Sequence, residues 1–226
     1  GDVYKRQVVG LVAAFAAVER RTAHPLVDVA LLANRRFVAY SVAAAVFMSV
    51  LVPLLVYLPS YLISVVGLSA GQAGMWLLMM TVPMLLLPTV GAALAARLSG
   101  PAVGVGALVL LGSGATSLLV LGPDTTLWQL LVPFLLVGAG VGLTNGLVDG
   151  LALGSVPEEH TGTASGVFNA ARISLETVAL AGVGAVLAVL AGGALEGEAF
   201  TGAFHTVAVA LGALALGTAA LVAVSY

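Results

Sequence analysis

Three ionisable residues, Asp149, Arg172 and Glu176, fall within long apolar stretches of this 226-residue chain. A charge held in such surroundings is costly unless it has a partner, a ligand or a proton to exchange. On a helix, Asn145 and Asp149 are four apart and share a face, while Asn169, Arg172 and Glu176 follow an i, i+3, i+7 pattern that also shares one. The two segments flank the polar connection GSVPEEHTG, and as an antiparallel pair they place residues equidistant from its midpoint at similar depth. Asp149 with Arg172, and Asn145 with Glu176, are both centred on the gap between His160 and Thr161. The arithmetic predicts an ion pair between Asp149 and Arg172 near the helix ends, with Asn145 and Glu176 deeper. Glu176 is then expected to face a polar cavity, where it binds a cationic group or exchanges a proton. For Asp149 and Arg172 the competing reading is interfacial anchoring, with both side chains reaching water.

Other chemistry is scarce. His24, His160 and His205 are far apart with no ligand spacing, there is no cysteine, and no nucleophile elbow occurs, so neither a metal site nor an enzyme is expected. Tyr57, Tyr61, Trp76, Met79 and Met80 read first as interfacial anchors and packing residues, with Trp76 and Tyr57 as candidates to line a cavity.

The elements that must position these residues follow from composition. The chain is 61% hydrophobic and only 8% charged, against about 25% charge in a soluble domain, and its mean hydropathy is +1.15. Its apolar runs are continuous and rich in Gly, Ala, Leu and Val, which fits spanning helices and not the alternating segments of a barrel. An all-α membrane protein is predicted, with six helices over about 37–62, 72–96, 102–122, 127–153, 164–191 and 203–223. A formal charge of -2 leaves no basic footprint for nucleic acid. Short connections force an up-and-down order. Arg20, Arg21, Arg35, Arg36 and Arg97 then lie on one face, with Arg172 toward the same end, and Asp124, Glu196 and Glu198 on the other. The excess of arginine predicts that the first face is cytoplasmic.

Residues 2–7, DVYKRQ, resemble the in-frame translation of a transposase adapter used in DNA sequencing, and 1–7 are set aside on that ground; the last residues, Ala223 to Tyr226, match its reverse complement more weakly. Residues 8–18 read as a truncated transmembrane helix, with a signal peptide carrying Lys5 and Arg6 as the competing reading. Residues 19–36 read as a cytoplasmic connector whose Leu26, Val27, Ala30, Leu31 and Leu32 could lie on the membrane surface. Gly138, Gly142, Gly146 and Gly150, four apart, predict one smooth helix face for close backbone approach. Pro53, Pro59, Pro83 and Pro88 predict kinks.

The run ERRTAHPLVDVALLANRRF, the helix ending LVYLPSYLISVVGLSAGQAG, then VGAGVGLTNGL and VPEEHTGTASGVFNAAR together resemble the C-terminal half of major facilitator superfamily transporters, most nearly the fourteen-helix drug:proton antiporters of bacteria. The resemblance covers nearly everything from residue 19 onward. It implies a six-helix C-terminal bundle of two inverted three-helix repeats, preceded by the end of an eighth helix, and a first bundle elsewhere in the same chain. It also implies alternating access about a midplane site, with the first and fourth helices lining the cavity, small amphiphilic substrates, export driven by a proton gradient without a cofactor, and a bacterial inner membrane. The sequence departs from the family where Ile63 replaces a common Gln, and where Arg172, Ile173, Ser174, Leu175, Glu176 stand in place of Arg, Gln and two glycines. A transporter for one metabolite and a six-helix structural or assembly subunit are the alternatives.

Overall fold

The computed structural model describes residues 31, 33–193 and 196–224. The adapter-like residues, the truncated helix at 8–18 and most of the connector at 19–36 lie outside the described residues.

The chain folds into helices α1 (Arg35–Ser64), α2 (Ala70–Leu86), α3 (Pro88–Arg97), α4 (Gly100–Ser117, prolonged by a 3-10 turn over Leu118–Val120), α5 (Leu127–Thr144), α6 (Leu147–Leu153), α7 (Thr161–Leu190) and α8 (Gly197–Val224). Among the described residues five spans, α5 and α6 counted as one, are long and apolar enough to cross a membrane, and the bent pair α2 and α3 supplies a sixth. Local signals explain where helices start. Asn34 caps α1 by accepting from the backbone N–H groups of Arg36 and Phe37. Ser69 with Gln72 and Thr126 with Gln129 form capping boxes ahead of α2 and α5.

Two spans that the hydropathy pattern draws as unbroken helices, 72–96 and 127–153, are interrupted. Pro88 has no N–H to continue the ladder of α2, so it opens α3 instead, at 45° to α2. In the second span, Asn145 leaves the helix with ψ 116° and Gly146 turns into the left-handed region at φ 79°, where a side chain would be strained. The expected four-residue glycine face is corrected accordingly. Gly138 meets the carbonyl of Met80 and Gly142 meets Pro83 and Met84, but among the described residues nothing stands within 4 Å of where a Cβ would be on Gly146 or Gly150.

Packing crosses between the two halves of the bundle. The first helix of the first half, α1, packs on α7, the second of the other half; reciprocally α5 packs on α2, and α4 packs on α8 behind them. Phe134, Leu108, Leu111 and Leu118 are fully buried in this core. At the ends of α1 and α8 that lie away from the arginines, the Tyr61 ring stacks obliquely on Phe200 and Phe204, with centroids 5.3 and 5.2 Å away. The Tyr61 and Thr201 hydroxyls bond at 2.9 Å, and His205 Nε2 donates to the Leu121 carbonyl at 2.8 Å. These contacts give His205 a structural partner at a helix start. By contrast α2 buries only Ala73 and Met80, and α7 only Ala164, Phe168, Val183 and Leu187. Both keep broad open faces.

Candidate functional site

The buried residues of α7 form one stripe along its length, Ala164, Phe168, Val183 and Leu187. Helical spacing sets Arg172 and Glu176 in the gap between Phe168 and Val183. Two ionisable groups thus interrupt the stripe of residues that α7 buries. That placement gives α7 a polar waist at mid-length, where a spanning helix is normally least polar.

Arg172 is the centre of the cluster. Its Nη1 donates to Asp149 Oδ2 at 3.4 Å and its Nη2 to Asn169 Oδ1 at 3.1 Å. Asn169 in turn donates from Nδ2 to the Ser165 carbonyl at 3.0 Å, which fixes its amide. The guanidinium carbon also lies 5.7 Å from the Phe168 ring centroid, within cation–π reach. The Asp149 contact is a single long one and not the two-pronged fork of a strong Arg–carboxylate pair. With its side chain 27% exposed, Arg172 retains N–H donors for a further acceptor.

Asp149 reaches this position because the helix breaks. It sits in the first turn of the short α6, just past Gly146, and not on a helix continuous with Asn145. Asn145 and Asp149 therefore share no uninterrupted helix face, which corrects the expected i, i+4 pairing. They line one cavity nevertheless. A small hollow of about 30 Å³ is bounded by Phe47, Met48, Asn145, Gly146, Asp149 and Arg172, with room for about one water. The Thr144 hydroxyl donates to the Gly140 and Val141 carbonyls at 3.1 Å each, so part of the ragged end of α5 is satisfied from within.

The structure thus brings Asp149, Arg172, Asn169 and Asn145 together. Glu176, one turn beyond Arg172, is half-buried, does not line this hollow, and has no hydrogen bond or ion pair among the described residues. Tyr57 and Trp76 lie elsewhere, both packed against the core. The Tyr57 hydroxyl rests over Gly184, in the space a Cβ would fill. Among the described residues no group of acidic, histidine or cysteine side chains could hold a metal ion.

Two contributors escaped the sequence reading. Asn34 caps α1 and also donates from Nδ2 to the Ser155 carbonyl at 2.8 Å, tying the start of α1 to the end of α6. An Asn just before a helix signals the cap, but nothing local signals a partner 121 residues away. Gly184 is the second, since one glycine in a Gly/Ala-rich helix does not advertise a tyrosine above it.

Comparison with known proteins places this arrangement. Residues 8–175 match the family model described as Major Facilitator Superfamily. The chain is also 30% identical over 184 residues, 78% of its length, to a protein of Streptomyces coelicolor named "Probable actinorhodin transporter". It spans only 31% of that relative's length. The helical spans among the described residues, a family match over most of the chain and the 30% identical relative agree: the chain belongs to the Major Facilitator Superfamily.

Proposed function

We propose that this chain forms the C-terminal half of a secondary transporter that exports small amphiphilic molecules in exchange for protons by alternating access, in a bacterial inner membrane with its arginine-bearing face in the cytoplasm. The observation that carries this reading is the polar waist of α7, where Arg172 is engaged by Asp149 and Asn169 while Glu176, one turn away, keeps a carboxylate without a partner among the described residues. A lone carboxylate in an apolar span can hold a proton or a cationic group but not both. That competition is the simplest coupling of export to a proton gradient, and it needs no cofactor. Asp149 and Arg172 neutralise each other beside the break, where α6 can change its angle without unwinding a continuous helix. The open faces of α2 and α7 are where a first bundle of the same chain would pack, closing a cavity between the halves.

The test is made in the complete protein, in everted vesicles with an imposed proton gradient. Glu176→Gln should abolish the dependence of export on that gradient while leaving the protein in the membrane. Unchanged pH dependence together with unchanged affinity for cationic substrates would remove Glu176 from both roles. A second reading, transport of one particular metabolite, is favoured by the relative named for a single compound. A narrow substrate range in the same vesicles would select it.

A further inference from the structure

Arg172 and Glu176 are four apart on α7, so their side chains are neighbours one turn apart, with Cβ atoms about 5–6 Å from each other. Opposite charges at that spacing ordinarily pair. Here they do not: the guanidinium reaches back toward the start of α7, to Asn169 Oδ1 and Asp149 Oδ2, and Glu176 has no partner among the described residues. Helical side chains lean toward the N-terminus, and an arginine that precedes its glutamate is the weaker order of charges at this spacing. Glu176 therefore loses the guanidinium to Asp149 while Asp149 is within reach.

The contacts of Arg172 differ in what carries them. Asn169 and Phe168 lie on α7 itself and travel with Arg172. Asp149 lies on α6, and its 3.4 Å contact is already at the long limit for a hydrogen bond. The short α6 joins α5 through the left-handed turn at Gly146, and among the described residues nothing stands within 4 Å of where a Cβ would be on Gly146 or Gly150. A swing of α6 about Gly146 thus breaks the Asp149 contact first, and Asp149, whose side chain is 42% exposed, is left to water. No other acid takes its place at that depth. Of the elements packed on α7, α1 carries no ionisable residue between Tyr40 and Tyr57 and α8 none after His205, and the turn Glu158–His160 lies at the start of α7. Glu176 is the sole acid within α7.

We propose that Arg172 trades Asp149 for Glu176 when α6 moves, and that this trade expels whatever Glu176 holds. With α6 docked, Arg172 is engaged by Asp149 and Glu176 is free to take a proton or a cationic group. With α6 displaced, the guanidinium turns forward onto Glu176. A carboxylate beside a guanidinium favours its charged form, so the proton passes to water or the cationic group leaves. The fixed charges are the same in both states, and only the bound proton or cation differs. The inference rests on the proton- or cation-binding role of Glu176 proposed for the complete protein, and adds how movement of α6 empties that site.

The test is the protonation of Glu176 in the complete protein in lipid vesicles, followed by infrared spectroscopy as the carboxylic acid band that Glu176→Gln removes. Asp149→Asn frees Arg172 and should move that protonation to lower pH by about one unit or more, the effect of an opposite charge at this distance. Losing the charge of Asp149 acts in the same direction through space, so the shift is measured again with Arg172→Gln in place. There it should shrink to a small fraction. A shift of equal size in both backgrounds overturns the proposal, as does an Asp149→Asn protein that protonates Glu176 at the parent's pH. Asp149→Ser gives the same comparison should the asparagine variant fail to accumulate. Dependence of export on the proton gradient is read separately in the parent. Its absence beside an intact Arg172-dependent shift would sink the transport reading and leave the exchange standing, whereas its presence without that shift would sink the exchange alone.

Discussion

The carbonyl of Leu143, next to the end of α5, rests against the Cα of Gly91 in α3, so the two interrupted helices touch beside both of their breaks. Gly142 meets Pro83 and Met84, and Gly138 meets Met80, in the same seam. Backbone lies directly on backbone. The bend at Pro88 and the break at Gly146 are therefore parts of one packed unit, and neither can straighten without shifting the other.

The seam makes the glycines that line it behave oppositely to those outside it. A Cβ on Gly138 or Gly91 would fall on a neighbouring backbone carbonyl that cannot rotate away, whereas one on Gly150 meets nothing within 4 Å. Gly138→Ala and Gly91→Ala should each destabilise by about 1–3 kcal/mol, the usual range for overpacking. Gly150→Ala should be neutral or stabilising by up to about 1 kcal/mol, since alanine is the better helix former. Thermal unfolding of the purified complete protein, followed variant by variant, gives the signs.

At the polar cluster, the single 3.4 Å contact and the partial exposure of both side chains, 27% for Arg172 and 42% for Asp149, argue against a strong structural staple. A double-mutant cycle of Asp149→Asn and Arg172→Gln should yield a coupling energy in stability of about 1 kcal/mol or less. Under the proposed function, export by the complete protein carrying the same substitutions should fall far more than stability does. A coupling of several kcal/mol would instead identify a buried structural pair and take Asp149 and Arg172 out of the transport cycle.

Much of this was legible from residue types and spacing. The apolar runs gave the helical membrane class, and the symmetry of Asp149 and Arg172 about the GSVPEEHTG connection pointed to a contact that the structure places at 3.4 Å. Hydropathy could not show that the helix holding Asn145 and Asp149 breaks between them, because glycines recur throughout this span and hydropathy carries no information on backbone angles; the φ of 79° at Gly146 reveals the turn. Pro88 was visible as a kink, yet whether a proline bends a helix or starts a new one depends on the neighbour that fills the bend. Here that neighbour is α5. The link from Asn34 to Ser155 is likewise invisible in one dimension, since both residues are ordinary polar boundary types.

Tyr57 and Gly184 should be interdependent. The hydroxyl of Tyr57 occupies the space of a Cβ at Gly184, while the ring carbon bearing it would be at an ordinary contact distance of 3.4 Å. Gly184→Ala alone should force the ring aside and cost about 1 kcal/mol or more. Adding Tyr57→Phe, which removes only the colliding oxygen, should recover most of that loss. Simple additivity of the two substitutions in thermal unfolding would show that the ring already has another place to go.

Asn34 performs two tasks that substitution can separate. Its Oδ1 accepts from the N–H groups of Arg36 and Phe37, and its Nδ2 donates to the Ser155 carbonyl at 2.8 Å. Asn34→Asp keeps the cap acceptor and adds a charge favourable to the helix dipole, but it removes the donor to Ser155. Asn34→Ala removes both. The alanine variant should lose about 1–2 kcal/mol for the cap and about 1 kcal/mol more for the link. The aspartate variant should lose only the link. If the tie between α1 and α6 also restrains the break at Gly146, hydrogen exchange at the amides of α6 should quicken equally in both variants, although their stabilities differ. Faster exchange in the alanine variant alone would mean that the cap, and not the tie to Ser155, holds α6 in place.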